Sequence, residues 1–437
     1  MSLPAEVRLW GRRIGAVTLE DGDDAAVFEY EPDFARSGIQ VSPISMPLRS
    51  GPQQFATLPR EAFHGLPGLL ADSLPDRYGN ALIDAWLAAQ GRAPESFDAI
   101  ERLCYVGKRG MGGLEFAPAL GPDPAEQHDI EIGALVELAS RVLADRENLA
   151  ASFKESGRED AVRDILSVGT SAGGARAKAV IAWNPKTQAV RSGQIDAEEG
   201  FEHWLLKFDG VRGNRDRERL EDPQGFGGIE FAYSMMARAA GIEMTECRLL
   251  EENGRRHFMT KRFDRPGGDA KLHMQSLGAL AHYDFNQAGA YAYEQALLVI
   301  RRLGLPMRDI EQQFRRMAFN VIARNQDDHV KNIAFLMDRS GHWSLSPAFD
   351  MTYAYQPSGM WTNRHQMTLN GKRDRLTLVD FERCATGASM KHGRAKEIVE
   401  EVREAVRRWA TFAAEAAVDE RDVERIGRAH RLDLARG

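Results

Sequence analysis

An α+β chain of two lobes, strand-rich first and helical second, with a further small subdomain at the N-terminus, is the architecture this sequence predicts. Three observations predict it. Short strand-like stretches crowd the first thirty or so residues and again residues 160–262, with turn-forming residues between them. Beyond residue 265 the apolar residues recur at helical spacing. The acidic, proline-containing GPDPAEQHD at 121–129 separates the two strand groups and marks a seam. A chain of 437 residues is long for one domain. The divisions expected are 1–120 for the N-terminal subdomain, 121–264 for the strand-rich lobe and 265–437 for the helical lobe.

The elements follow in order. VRLWG and RIGAVTL read as strands, and AAVFEY as a third after the turn EDGDD. LPGLLADSLPDRYGNALIDAWLAAQ carries helical spacing. In the second group come KAVIAWN, a turn at Asn184-Pro185-Lys186, HWLLKF, and CRLLEENGRRHFMTKRF folding back at Asn253-Gly254. AYEQALLVIRRLG and MRDIEQQFRRMAFNVIARN are helices. In the latter, Ile310, Phe314, Met317 and Val321 form an apolar stripe and Asn325 stands at its end. NIAFLMD and WSLSPAFD, joined at Arg339-Ser340-Gly341, read as a hairpin ending in Asp350. Ile398, Val402, Val406, Trp409 and Ala413 fall on one face of a single late helix.

Composition excludes several classes. Net charge is −7, from 57 basic and 64 acidic residues, so the chain is not coated with cations for nucleic acid. Cys104, Cys247 and Cys384 lie far apart, which excludes a disulfide framework or a cysteine zinc site and fits a reducing compartment. The N-terminus lacks a signal-peptide core and no stretch has membrane-spanning length, so a soluble, cytoplasmic protein without a membrane partner is expected.

Chemistry concentrates in RNQDDHVKN, residues 324–332. Asp327 and Asn332 have the spacing D-x-x-x-x-N, and the following hairpin delivers a second acid, Asp350. Phosphoryl transfer from ATP uses such a set: one carboxylate for the attacking hydroxyl, an amide and a second carboxylate for the magnesium that bridges the phosphates. Alone, the motif is also what helix ends and loops commonly carry, because Asp, Asn and His cap backbone groups. His329 reads as a residue that orders the loop by hydrogen bonding; one D-D-H without further histidines is weak evidence for zinc. Asp327, Asp328 and Asp350, gathered at about 4 Å, would repel by roughly 1 kcal/mol per pair even in bulk water. A divalent cation would reverse that repulsion.

Upstream, SVGTSAGGARAKAVIAW is a turn of small residues entering a strand, where backbone N–H groups approach phosphates, or simply a tight turn. It lacks the ending of a Walker A loop. Lys207, in WLLKF, is a cation within an apolar strand: it needs an anion, for which Glu230 and ATP phosphates are candidates, unless it snorkels to solvent. The order of glycine-rich turn, strand Lys, helix Glu, strand pair, D-x-x-x-x-N, hairpin and Asp follows that of protein kinases, so the two lobes are expected to form a protein-kinase-like fold.

With these residues in view, the sequence resembles the HipA family, kinase toxins of type II toxin–antitoxin pairs. RNQDDHVKN is similar to the family's catalytic loop, PAFDMTYAY to its metal-binding segment and TSAGGARAK to its phosphate loop. HMQSLGALAH, RHFMTKRFDR, LPGLLADSLPDRYG and YVGKRGMGGLEF extend the resemblance over nearly the whole chain. It implies that Asp327 is the catalytic carboxylate and that Asn332 and Asp350 bind Mg²⁺. It further implies that Lys207 holds ATP phosphates and that Ser171, Ala172, Gly173 and Gly174 form the phosphate loop. Met259, Lys261 and Phe263 fall in the adenine-packing linker, with His329 and Lys331 on the nucleotide side of the catalytic loop. Ser171 falls at the autophosphorylated serine, where a phosphate would add about −2 charge and shut the kinase off. Also implied are Ser/Thr protein substrates, with aminoacyl-tRNA synthetases as precedent, and a HipB-like helix-turn-helix antitoxin through which DNA is met only indirectly. The alternatives are a small-molecule phosphotransferase, or a non-catalytic co-repressor subunit that bridges antitoxin and DNA.

Overall fold

The computed structural model describes residues 4–20, 22–121, 129–144, 165, 168–169, 176–194, 199–211, 224–267 and 270–435. The interior of GPDPAEQHD and the small-residue turn, with Ser171, Ala172, Gly173 and Gly174, lie outside the described residues.

Among the described residues, three antiparallel sheets organise the chain. The first contains β1 (Ala5–Leu9), β2 (Arg12–Thr18), β3 (Val27–Tyr30), β4 (Gln53–Gln54) and β5 (Leu114–Ala117), in the order β4-β3-β2-β1-β5. Alternation places Ala5, Val7 and Leu9 inside, as a strand with one wet face requires. The second contains β6 (Lys178–Trp183), β7 (Val190–Ser192), β8 (Glu202–Lys207), β9 (Cys247–Glu252) and β10 (Arg255–Lys261), in the order β7-β6-β8-β10-β9. Every residue of β6 is buried, which explains its unbroken apolar run. Tyr78, Leu82 and Ala85 of the helix Arg77–Ala89, with Leu135 and Val136 of the helix Ile132–Ala144, share one core with Ile181, Trp204, Leu206 and Met259.

The third sheet is β11 (His273–Ser276), β12 (Ala334–Met337) and β13 (Trp343–Leu345), in that order, with the expected hairpin between β12 and β13. Around it lie the helices Tyr293–Arg302, Met307–Ile322, Leu378–Gly387 and Arg394–Arg407. The stripe Ile310, Phe314, Met317 and Val321 is buried at the centre of the largest core, as its spacing predicts. One expectation needs correcting: the late apolar face belongs to two helices, Arg394–Arg407 and Trp409–Glu415, broken at Arg408. The break lets the Trp409 indole donate to the Val423 carbonyl (3.0 Å) and pack edge-on against Tyr233.

The N-terminal segment is fastened to both later sheets by polar contacts, two of them from the acids that cap the helices Gly68–Ala71 and Arg77–Ala89. Lys178 on β6 pairs with Asp76 (3.1 Å), and the Asp72 carboxylate accepts from Ser276 N and Oγ (2.7 and 2.8 Å). Between them, Arg262 and Arg265 each reach Asp264 at 2.6 Å, and Gly112 N donates to the same carboxylate (2.7 Å). Met337 of β12 lies within the N-terminal core. Among the described residues, no helix is long and apolar enough to cross a membrane.

Candidate active site

Lys207 ends β8 on the second sheet, where Trp204 and Leu206 alternate inward. Its ammonium meets Glu230 at 2.6 Å and also contacts the Asp350 carboxylate directly. Burial works against the charge on Lys207, but Asp350 and Glu230 outweigh it and raise its pKa above the ordinary lysine value. Glu230 reaches the lysine because its helix, Phe226–Ala239, lies against β10 at Gly227, where a Cβ would stand 2.0 Å from the Arg256 carbonyl. The start of that helix is fixed by Asp209, whose carboxylate accepts from Gly225 N (2.9 Å). Glu230 itself is sealed: burial pushes its carboxyl pKa up, against Lys207 and Arg176, the latter 3.9 Å away. Lys207 is thus neither a snorkelling residue nor a cation with a single partner.

Opposite, the helix Met307–Ile322 ends through Arg324, which adopts a left-handed backbone (φ 61°) and lets Asn325 N donate back to the Asn320 carbonyl (3.0 Å). Asn325 Nδ2 reaches both Asn320 Oδ1 (3.0 Å) and the Asp350 carbonyl (3.2 Å). Gln326 N donates to the Ala354 carbonyl (2.9 Å), laying the segment after the hairpin along the loop. Asp350 is itself left-handed (φ 57°), a conformation that aspartate tolerates better than most side chains. Its carboxyl pKa lies well below the ordinary range: burial raises it, and Lys207 more than cancels that. Asn332 Nδ2 donates to the Asp327 carbonyl (2.8 Å), which leaves the amide oxygen as an acceptor. Asn325, His329, Asn332 and Asp350 line one hollow of about 10 Å³. That is room for a single water-sized group, not for a nucleotide.

The two adjacent aspartates face opposite ways, which corrects the expected cluster of three repelling acids. Asp328 is buried behind the loop, where its oxygens accept from Tyr293 OH (2.6 Å), His365 Nδ1 (2.8 Å) and Gln366 N (2.7 Å). Burial alone would raise its pKa; these donors bring it below the ordinary value. Asp350 is neutralised by Lys207. Asp327 alone keeps a largely accessible carboxylate, 44% exposed, which accepts from the Trp361 indole at 2.6 Å. His329 is a second correction. Its Nδ1 is buried without a hydrogen-bond partner and its Nε2 lies 3.8 Å from Asp327, so Asn332 orders the loop instead.

The linker residues are divided. Met259 is fully buried in the second-sheet core, Lys261 is drawn to Glu202 (2.6 Å), and Phe263 packs on Phe349 (centroids 5.8 Å apart). Lys331 is placed over the Phe285 ring, 4.5 Å from its centre. Sequence reasoning did not single out Trp361, His365, Gln366, Asp72, Asp76 or Asp264. Each meets a partner at least 34 residues away, and the local signals were the arginines that flank Asp264 and the place of Asp76 before a helix.

Comparison with known proteins places the whole arrangement. Residues 170–410 match the HipA-like C-terminal domain and residues 5–117 the HipA N-terminal domain. The chain belongs to the HipA family. A solved chain with the same fold is the HipA of Shewanella oneidensis MR-1, in a complex with HipB and its operator DNA; it aligns at TM-score 0.66 and 16% identity, covering 97% of this chain and 94% of that one. The curated "Putative kinase Y4mE" of Sinorhizobium fredii is 24% identical over 202 residues, 42% of this chain and 47% of the relative. The match therefore spans about half the length of that relative.

Proposed function

We propose that this protein is an ATP- and Mg²⁺-dependent serine/threonine protein kinase of the HipA toxin type. The observation that carries the reading is the meeting of Lys207, Glu230 and Asp350 beside a hollow shared by Asn332, with the open Asp327 carboxylate held to Asn332 through its own carbonyl.

The donor set suits magnesium. Asp350 and the Asn332 amide offer hard oxygens, and Asn325, whose Oδ1 is buried without a hydrogen-bond partner, lines the same hollow. Mg²⁺ commonly takes one or two protein ligands and completes its octahedral shell with phosphate and water. Bound there, Mg²⁺ would offset the charge on the ATP phosphates. Lys207, kept charged by its two carboxylates, supplies the protein's own cation to those phosphates. Asp327 accepts the hydrogen bond of the attacking hydroxyl and orients it. Ser171, Ala172, Gly173 and Gly174 are the phosphate-loop residues that the family resemblance implies, and Ser171 is the residue that the chain phosphorylates on itself. A protein hydroxyl, with an aminoacyl-tRNA synthetase as one candidate, is the acceptor; a HipB-like antitoxin is the partner and the route to DNA, in the cytoplasm. In this reading, 1–120 is the HipA-type N-terminal subdomain, 121–264 the strand-rich ATP-binding lobe and 265–437 the helical catalytic lobe.

The test is incubation with γ-labelled ATP and a cell extract. Wild type is expected to label itself at Ser171 and at least one protein. Asp327→Asn is expected to lower that rate by about a thousandfold or more with an unchanged melting midpoint. Mg·ATP should stabilise both forms, by about 2.7 kcal/mol at a hundred times Kd. Label on a metabolite alone would make the chain a small-molecule phosphotransferase. No stabilisation by Mg·ATP and no label anywhere would leave only a non-catalytic antitoxin-binding role.

A further inference from the structure

The segment after Asp350 returns to the catalytic loop and grips both aspartates. Gln366 N and the His365 ring hold Asp328 from behind. The Gln366 side-chain amide donates to the carbonyls of Trp361, Arg364 and Gln326, tying the intervening turn to the loop. That turn brings Trp361 Nε1 to Asp327 Oδ1 at 2.6 Å, while neighbouring Met360 stands 87% exposed. The indole is therefore delivered from a surface turn that its own backbone anchors, not from the core.

An indole N–H is a donor only, so it can hold the ionised carboxylate but cannot compete with it for a proton. Its grip leaves Asp327 substantially open to solvent (44% of the side chain), so the contact occupies one oxygen without covering the group. The main chain of the same residue is fixed by Asn332. Asp327 is thereby held at both ends, with Oδ1 engaged by the indole and Oδ2 given no donor among the described residues.

Resting on the kinase reading above, we propose that Trp361 is a positioning residue: its indole N–H fixes the Asp327 carboxylate so that Oδ2 alone faces the acceptor hydroxyl. Its contribution is orientation, since an unrestrained carboxylate would rotate and offer either oxygen in any direction.

The experiment compares wild type with Trp361→Phe, which keeps a ring and deletes the donor, in labelling of the chain itself and of casein from γ-labelled ATP. The expected result is a fall in kcat of about ten- to a hundredfold. KM for ATP, stabilisation by Mg·ATP and the melting midpoint should remain at wild-type values. A variant that transfers phosphate as fast as wild type, or faster, overturns the assignment; a faster one would mean that the indole obstructs the acceptor. A variant whose melting midpoint or ATP affinity falls along with kcat overturns it too, because the indole then props the fold. If wild type transfers no phosphate, the kinase reading falls and takes the assignment with it, whereas an active wild type matched by Trp361→Phe removes the assignment alone.

Discussion

Two clusters of buried charge differ in how they are closed. Around Asp264, two guanidiniums converge on one carboxylate that is fully buried, with Arg262 1% and Arg265 7% exposed. The remaining donors are taken up by the carbonyls of Gly110 and Gly112, and a backbone N–H completes the carboxylate. Around Lys207 the proportions are reversed: two carboxylates converge on one ammonium, and Asp350 keeps 31% of its side chain exposed. The first cluster is saturated by the protein itself and so fastens parts together. The second has carboxylate left over at an opening, which is what a site awaiting a cation requires.

Breaking each cluster should therefore have a different signature. The largest effect on stability is expected from Asp264→Ala, which strands two buried guanidiniums; urea unfolding should show a loss of about 3–5 kcal/mol. If that variant retains its stability, the cluster is not a fastener. Lys207→Met should instead reduce phosphate transfer by about a hundredfold or more, with a smaller structural cost because Glu230 can take up a proton. The sign follows from the raised Glu230 pKa, ordinarily 4.5: above that pH the folded variant would bind more protons than the unfolded chain, so its stability relative to wild type should fall as pH rises. A pH-independent difference in melting midpoint would contradict this. The smallest effect belongs to the sealed side. Burial lowers the pKa of His282 from 6.5 to about 4, and its Nε2 accepts from Gly68 N. The unfolded chain binds that proton first, so stability is lost as pH falls from 6.5 towards 4. His282→Asn keeps an acceptor and suits the left-handed backbone there (φ 55°). It should flatten the acid slope of the melting midpoint by about 2–4 °C.

What the sequence made legible was local or periodic. The stripe Ile310 to Val321 identifies its helix because burial repeats at 3.6 residues, and Asn253-Gly254 identifies a hairpin because the turn demands those residues. Lys207 announced a buried partner because an unpaired ammonium in an apolar strand is costly, and Glu230 and Asp350 answer it. Where adjacent residues diverge, the sequence is silent. Asp327 and Asp328 are identical letters, and only the return of Gln366 and Trp361 decides which is buried and which remains open.

The attachments of the N-terminal segment have a mechanical corollary. Asp76 grips β6 on one side of the cleft, Asp72 grips Ser276 of β11 on the other, and Asp264 anchors the crossing between them. Any rotation that pulled β6 away from β11 would have to stretch at least one of these bonds. The gap in which Lys207 meets Asp350 is therefore gauged from outside both lobes, in the manner of a caliper whose frame is the short stretch from Asp72 to Asp76 between two helices.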